Sequence, residues 1–81
     1  MHWIAIEEHG WVMAERVVAV AYAESAPVKR LLNHIAPTGV LILTGGRKRE
    51  SVLLLDSGQV VVTALSVQRI GRLLREARYA E

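Results

Sequence analysis

An α+β fold is predicted for this chain: a small antiparallel or mixed sheet with two helices, in the order β-β-β-α-β-β-β-α. Three observations predict it. Short β-branched runs recur between turn-forming residues, and two longer stretches carry apolar residues at helical spacing. The 81 residues contain no cysteine, so one apolar core must hold the chain without disulfide or thiolate staples. A second core of ordinary size would need about 50–100 further residues. Residues 1–81 therefore read as a single domain.

The elements follow in order. Trp3-Ile4-Ala5-Ile6 and Trp11-Val12-Met13 flank the polar Glu7-Glu8-His9-Gly10, the spacing of a hairpin with a four-residue loop. Arg16 to Tyr22 is a β-branched strand that stops at Glu24-Ser25-Ala26-Pro27. Ser25 is the expected N-cap of helix one, its hydroxyl accepting from a first-turn amide, and Pro27 fits a turn that needs no donor there. Val28, Leu31, Leu32 and Ile35 then form one apolar stripe, and Pro37-Thr38-Gly39 ends the helix near Ala36. Val40 to Thr44, Ser51 to Asp56 and Val60 to Ala64 are three more strands, the last two joined as a hairpin by Asp56-Ser57-Gly58-Gln59. Ser66 caps helix two, which runs to about Tyr79. Val67, Ile70, Leu73, Leu74 and Ala77 form its buried face; Arg69, Arg72, Arg75 and Arg78 lie on the other side.

Composition excludes several classes. At 52% hydrophobic residues and a net charge of +2, the chain is too apolar to be disordered. Its longest apolar run, Val17 to Ala23, is far short of the roughly 20 residues that cross a bilayer. Glu7, Glu8 and Glu15 spoil the start as a secretory signal, so a cytoplasmic location without membrane contact is expected. Val17 to Ala23, Val40 to Leu43, Val52 to Leu55 and Val60 to Val62 are continuous, not alternating, and such strands are covered on both faces. Two helices on one side of the sheet would leave the other bare. A second copy of the chain is the expected cover, giving a closed homo-oligomer in which residues 1–15 join the contacts between subunits.

The inventory for catalysis is poor. There is one Asp, in a turn, and His2, His9 and His34 are scattered without the spacing of a zinc site. Each serine stands at a cap, turn or strand start, where its hydroxyl has a local role. Gly45-Gly46-Arg47-Lys48 lacks the spacing of a nucleotide-binding loop and joins two strands. No enzyme activity, cofactor, metal or small-molecule substrate is expected.

What remains is cationic. Arg47-Lys48-Arg49 stands at the tip of a glycine-hinged loop, where adjacent like charges repel and call for a reason. Phosphates are that reason. Lys29-Arg30 adds two cations at the start of helix one, whereas the helix-two arginines sweep across an ordinary polar face. Trp3 and Trp11 lie in the acidic first third and read as core or interface anchors.

The runs Arg16-Val17-Val18-Ala19-Val20, Glu24-Ser25-Ala26-Pro27-Val28-Lys29-Arg30, Thr44-x-Gly46-Arg47-Lys48 and Leu55-Asp56-Ser57 resemble the RemA-type family of bacterial extracellular-matrix regulators, over about Trp3 to Leu74. The chain departs from the family pattern at Glu7-Glu8-His9-Gly10, where a Gly-x-Gly-Asn turn is usual, and at Arg49 and Glu50. The resemblance implies a ring-forming protein that binds double-stranded DNA and activates biofilm-matrix genes, with Arg16, Arg47 and Lys48 in contact with DNA. The DNA-binding set expected from charge and resemblance together is Arg16, Lys29, Arg30, Arg47, Lys48 and Arg49. Binding of RNA by the same loop, or of an acidic protein partner, is the alternative.

Overall fold

The computed structural model describes residues 2–79, without the side chains of Arg78 and Tyr79, so the expected place of Arg78 on the polar side of helix two lies outside the described residues. The eight expected elements are present: β1 (Trp3–Ile6), β2 (Gly10–Met13), β3 (Val17–Tyr22), α1 (Ala26–His34), β4 (Val40–Leu43), β5 (Ser51–Leu55), β6 (Val60–Thr63) and α2 (Val67–Tyr79). Single 3-10 turns at Ala14–Arg16 and Pro37–Gly39 join β2 to β3 and α1 to β4.

The strands form two sheets. β1 and β2 are an antiparallel pair on their own, and the other four lie in the order β3-β5-β6-β4. β5 pairs antiparallel with β3 and β6, whereas β4 runs parallel to β6. The mixed sheet places the C-terminal ends of β3, β4 and β6 and the start of β5 at one end, since Tyr22 faces Ser51, Ser51 faces Thr63 and Leu43 faces Thr63.

Several local expectations need correction. Ile6 pairs with Gly10, so the first hairpin loop is Glu7-Glu8-His9, one residue shorter than expected, and Glu7 takes a left-handed φ of 52° to close it. Arg16 belongs to the 3-10 turn before β3, not to the strand. Ser25 occupies the N-cap position of α1, but its hydroxyl donates to the Tyr22 carbonyl at 3.0 Å and caps no amide of the helix. The same carbonyl, at the end of β3, also accepts from the Ser25 amide at 3.2 Å, so both donors of Ser25 converge on it. The helix stops at His34, two residues early, where Ile35 is already extended. Ser66 does cap α2: its Oγ accepts from the Arg69 amide at 3.0 Å.

The helices divide between the two faces of the sheet. α2 and the β1–β2 hairpin cover one, where Ile70 and Leu74 pack with Ile4, Ile6, Leu53 and Val61. α1 covers the other through Val28, which packs with Val52, Val60 and Val62. Central strands β5 and β6 are thus buried on both faces by one subunit, and the bare face expected to require a second copy does not exist. Leu31, expected in the buried stripe of α1, is exposed. The apolar surface that remains lies at the margins: Val18 and Tyr22 on edge strand β3, Leu41 and Ile42 on edge strand β4, Trp3 and Trp11 on the hairpin.

Candidate nucleic-acid interface

The link from β4 to β5 must straddle the end of β6, which lies between them. Two inter-strand spacings make that gap about 10 Å. A tight turn cannot bridge it, so the loop of residues 44–50 arches out from the sheet end. Gly45 and Gly46 have φ of 63° and 83°, a left-handed pair that glycine adopts at little cost, and the Arg47 amide turns back to the Thr44 carbonyl at 3.2 Å. Arg47, Lys48 and Arg49 are thereby exposed at the crest.

The far side of the arch is anchored. The Glu50 amide donates to the Thr63 carbonyl at 2.8 Å, and the Glu50 carbonyl accepts from the Ala23 amide at 3.1 Å. This second bond ties the loop to the turn between β3 and α1. There Lys29 Nζ lies 3.1 Å from Glu24 Oε2. The Glu24 carboxyl is held below the usual carboxylate range, first by the hydrogen bond and charge of Lys29, then by the charges of Lys48 and Arg49. Lys29, Lys48 and Arg49 therefore share one electrostatic neighbourhood, with Arg30 adjacent in α1. Lys48, Arg49 and Arg30 are exposed and form no ion pair among the described residues.

Arg47 differs from its two neighbours. Its guanidinium forms an ion pair with Glu7 of the first hairpin loop, a residue 40 positions away in sequence. No local pattern announces that contact, and Glu7 is a site residue the sequence reading did not find. The same hairpin tip rests on the basic loop at Gly45, where a Cβ would fall 2.3 Å from the His9 ring, and beside it the start of β2 packs on the end of β4, where a Cβ at Gly10 would fall 3.2 Å from Leu43.

Arg16 is not brought to this cluster. It sits just before the opposite end of β3, a strand about 17 Å long, where its Nη1 lies 3.4 Å from Asp56. With Leu55, Asp56, Ser57 and Gln59 it lines a shallow groove of about 220 Å³. The exposed arginines of α2, Arg69, Arg72 and Arg75, stand on the helix that covers the other face from α1. Trp3 and Trp11 line an open apolar hollow of about 390 Å³ on the hairpin.

Two of the three histidines have hydrogen-bond partners in the structure. His2 Nδ1 lies 2.6 Å from Glu15 Oε2, and His34 Nδ1 donates to the Arg30 carbonyl at 2.7 Å. Among the described residues no three His, Asp or Glu side chains converge as metal ligands, and no helix is long and apolar enough to cross a membrane.

The loop, its glycines and the Glu24 to Arg30 turn fall within residues 4–74, which match the family described as RemA-like, extracellular matrix regulatory protein A-like. A protein of Synechococcus elongatus is 38% identical over 66 residues, covering 79% of this chain and 76% of its own. One from Dictyoglomus thermophilum is 43% identical over 60 residues, covering 73% and 71% respectively, and both carry the name "Putative regulatory protein". With a family match over nearly its whole length and relatives of this similarity, the chain belongs to the RemA-like family.

Proposed function

We propose that this chain is a DNA-binding transcriptional regulator, an activator of extracellular-matrix genes in the bacterial cytoplasm, and not a catalyst. One observation carries the reading: Lys48 and Arg49 crest an arched loop beside Lys29 and Arg30, all four exposed and three of them without an ion pair among the described residues. Cations held out in water meet phosphate without a desolvation cost in the free protein. Two or three phosphate contacts bind weakly alone. In a homo-oligomeric ring each subunit adds the same loop, and effective concentration multiplies the weak contacts.

The exposed apolar residues support such assembly. Val18 and Tyr22 on one sheet edge and Leu41 and Ile42 on the other leave two unpaired strand edges within the described residues. Neither helix offers the Asn, Gln and Arg pattern of a major-groove reader, so specificity rests on DNA shape and on the spacing between loops.

The test is Lys48→Ala/Arg49→Ala, assayed by gel shift on duplex DNA and by size-exclusion chromatography. The expected result is a lost shift with unchanged particle size, and in the parent protein a steep fall of affinity with salt. An unchanged shift with unchanged assembly removes the loop as the contact surface. Equal competition by duplex RNA would reassign the ligand, and no nucleic-acid binding at low salt would leave a protein partner as the reading.

A further inference from the structure

The Glu7–Arg47 pair gives the basic loop an internal competitor for phosphate. We infer that the first hairpin loop regulates the polyanion site by masking Arg47: Glu7 holds the guanidinium in place of a phosphate, so that only Lys48 and Arg49 are available until a ligand displaces the carboxylate. The inference rests on the reading of the loop as a DNA contact.

Three features of the structure build the mask. First, a guanidinium meets carboxylate and phosphate through the same kind of N–H donor, and Arg47 Nη2 is already engaged by Glu7 Oε1, so a phosphate must compete with the carboxylate for that donor and for the charge behind it. Second, Glu7 is placed for this contact at a conformational cost. It is the only described non-glycine residue at positive φ, and its side chain is less exposed than that of Arg47, 26% against 56%. Third, the hairpin tip is seated on the basic loop by packing as well as charge. The His9 ring occupies the space that a side chain at position 45 would fill, and Leu43 closes against Gly10. The hairpin tip thus meets the basic loop by shape at Gly45 and by charge at Arg47, and Leu43 of β4 seats the start of β2 beside it.

Within the triplet the consequence is unequal. Lys48 and Arg49 lie near Glu24, whose carboxylate is already engaged by Lys29 at 3.1 Å, and neither forms an ion pair among the described residues. Arg47 alone is occupied. Neighbouring Glu8 is exposed and forms no ion pair among the described residues, which makes it the matched control for simple loss of negative charge.

The experiment measures duplex DNA affinity by fluorescence anisotropy over a salt series for the full chain in its native assembly, and for Glu7→Gln, Glu8→Gln, Arg47→Ala and Glu7→Gln/Arg47→Ala. Glu7→Gln should tighten binding about three- to tenfold and steepen the salt dependence by about one unit for each engaged subunit, as one more phosphate is neutralised. Glu8→Gln should change affinity less than twofold, and the gain from Glu7→Gln should vanish when Arg47 is absent. Glu7→Gly serves if the glutamine variant folds poorly, because glycine accepts the positive φ while deleting the carboxylate. Equal affinities for the parent and Glu7→Gln, or equal gains from Glu7→Gln and Glu8→Gln, overturn the mask and leave the DNA reading standing. Absence of binding by parent and Glu7→Gln alike overturns both.

Discussion

Asp56 holds Arg16 twice. Its amide donates to the Arg16 carbonyl at 2.8 Å, and its carboxylate lies 3.4 Å from Arg16 Nη1. The backbone bond fastens the 3-10 turn before β3 to the turn after β5, and the ion pair adds a lateral tie between side chains that are 61% and 42% exposed. Exposed pairs of this kind contribute little. Arg16→Ala is expected to cost about 0.5 kcal/mol, a fall of roughly 2–4 °C in melting temperature. Because Arg16 stands at the far end of the sheet from the basic loop, its effect on DNA affinity should add to that of Lys48→Ala/Arg49→Ala within about 0.5 kcal/mol. Strong coupling between them in a binding titration would mean that Arg16 of one copy meets the loop of the next.

Ser51 and Thr63 make the buried polar contact of the sheet. Their hydroxyl oxygens lie 2.7 Å apart across β5 and β6, both residues are fully buried, and Thr63 Oγ1 also accepts from the Leu65 amide at 3.0 Å. Thr63→Val takes the partner from both the Ser51 hydroxyl and the Leu65 amide. A loss of about 1–3 kcal/mol is expected in urea unfolding. Adding Ser51→Ala should cost less than the sum of the two single changes, since no orphan hydroxyl then remains. Strict additivity would show that the pair makes no bond worth having. The same residues anchor the end of the arch, because the Glu50 amide bonds the Thr63 carbonyl at 2.8 Å.

The Glu15 carboxyl is lowered from an ordinary 4.5 to about 2, chiefly by the hydrogen bond from the His2 ring and secondly by the His2 amide at 3.1 Å. A folded-state value below the unfolded one means that the contact supports the fold above about pH 4.5. That support fades as pH falls toward 2. His2→Ala should move the Glu15 titration back toward 4.5 by carboxyl-carbon NMR, keeping part of the shift through the backbone bond. It should also flatten the loss of stability between those two values. An unmoved Glu15 titration would assign the shift to some other group.

Much of the fold was legible because it depends on near neighbours in sequence. The β-branched runs, the Ser66 cap and the Asp56 to Gln59 turn read correctly, since each is decided by propensity and by hydrogen bonds a few residues long. The exceptions are instructive. Ser25 was read as a cap by residue type, but the Tyr22 carbonyl competes for its hydroxyl three residues upstream, and a lone serine carries no signal of which bond wins. The continuous apolar runs of β5 and β6 correctly marked strands covered on both faces, though by one subunit's own helices, whereas the equally continuous runs of β3 and β4 lie at the sheet edges with Val18, Leu41 and Ile42 exposed. Periodicity reports that a residue is buried and is silent about what buries it.

The basic loop divides along the same line. That residues 45–49 form a glycine-hinged cationic tip is a property of adjacent residues, and the sequence alone determined it, as it did the element order and the family. Tertiary structure decided which cations lie near one another. It brought Lys29 beside Lys48 and Arg49 through the Ala23 to Glu50 hydrogen bond, sent Arg16 to the opposite sheet end, and laid Glu7 against Arg47 across 40 residues. Strand order and register fix those distances, and they are settled by packing of the whole core, which no local run of side chains encodes.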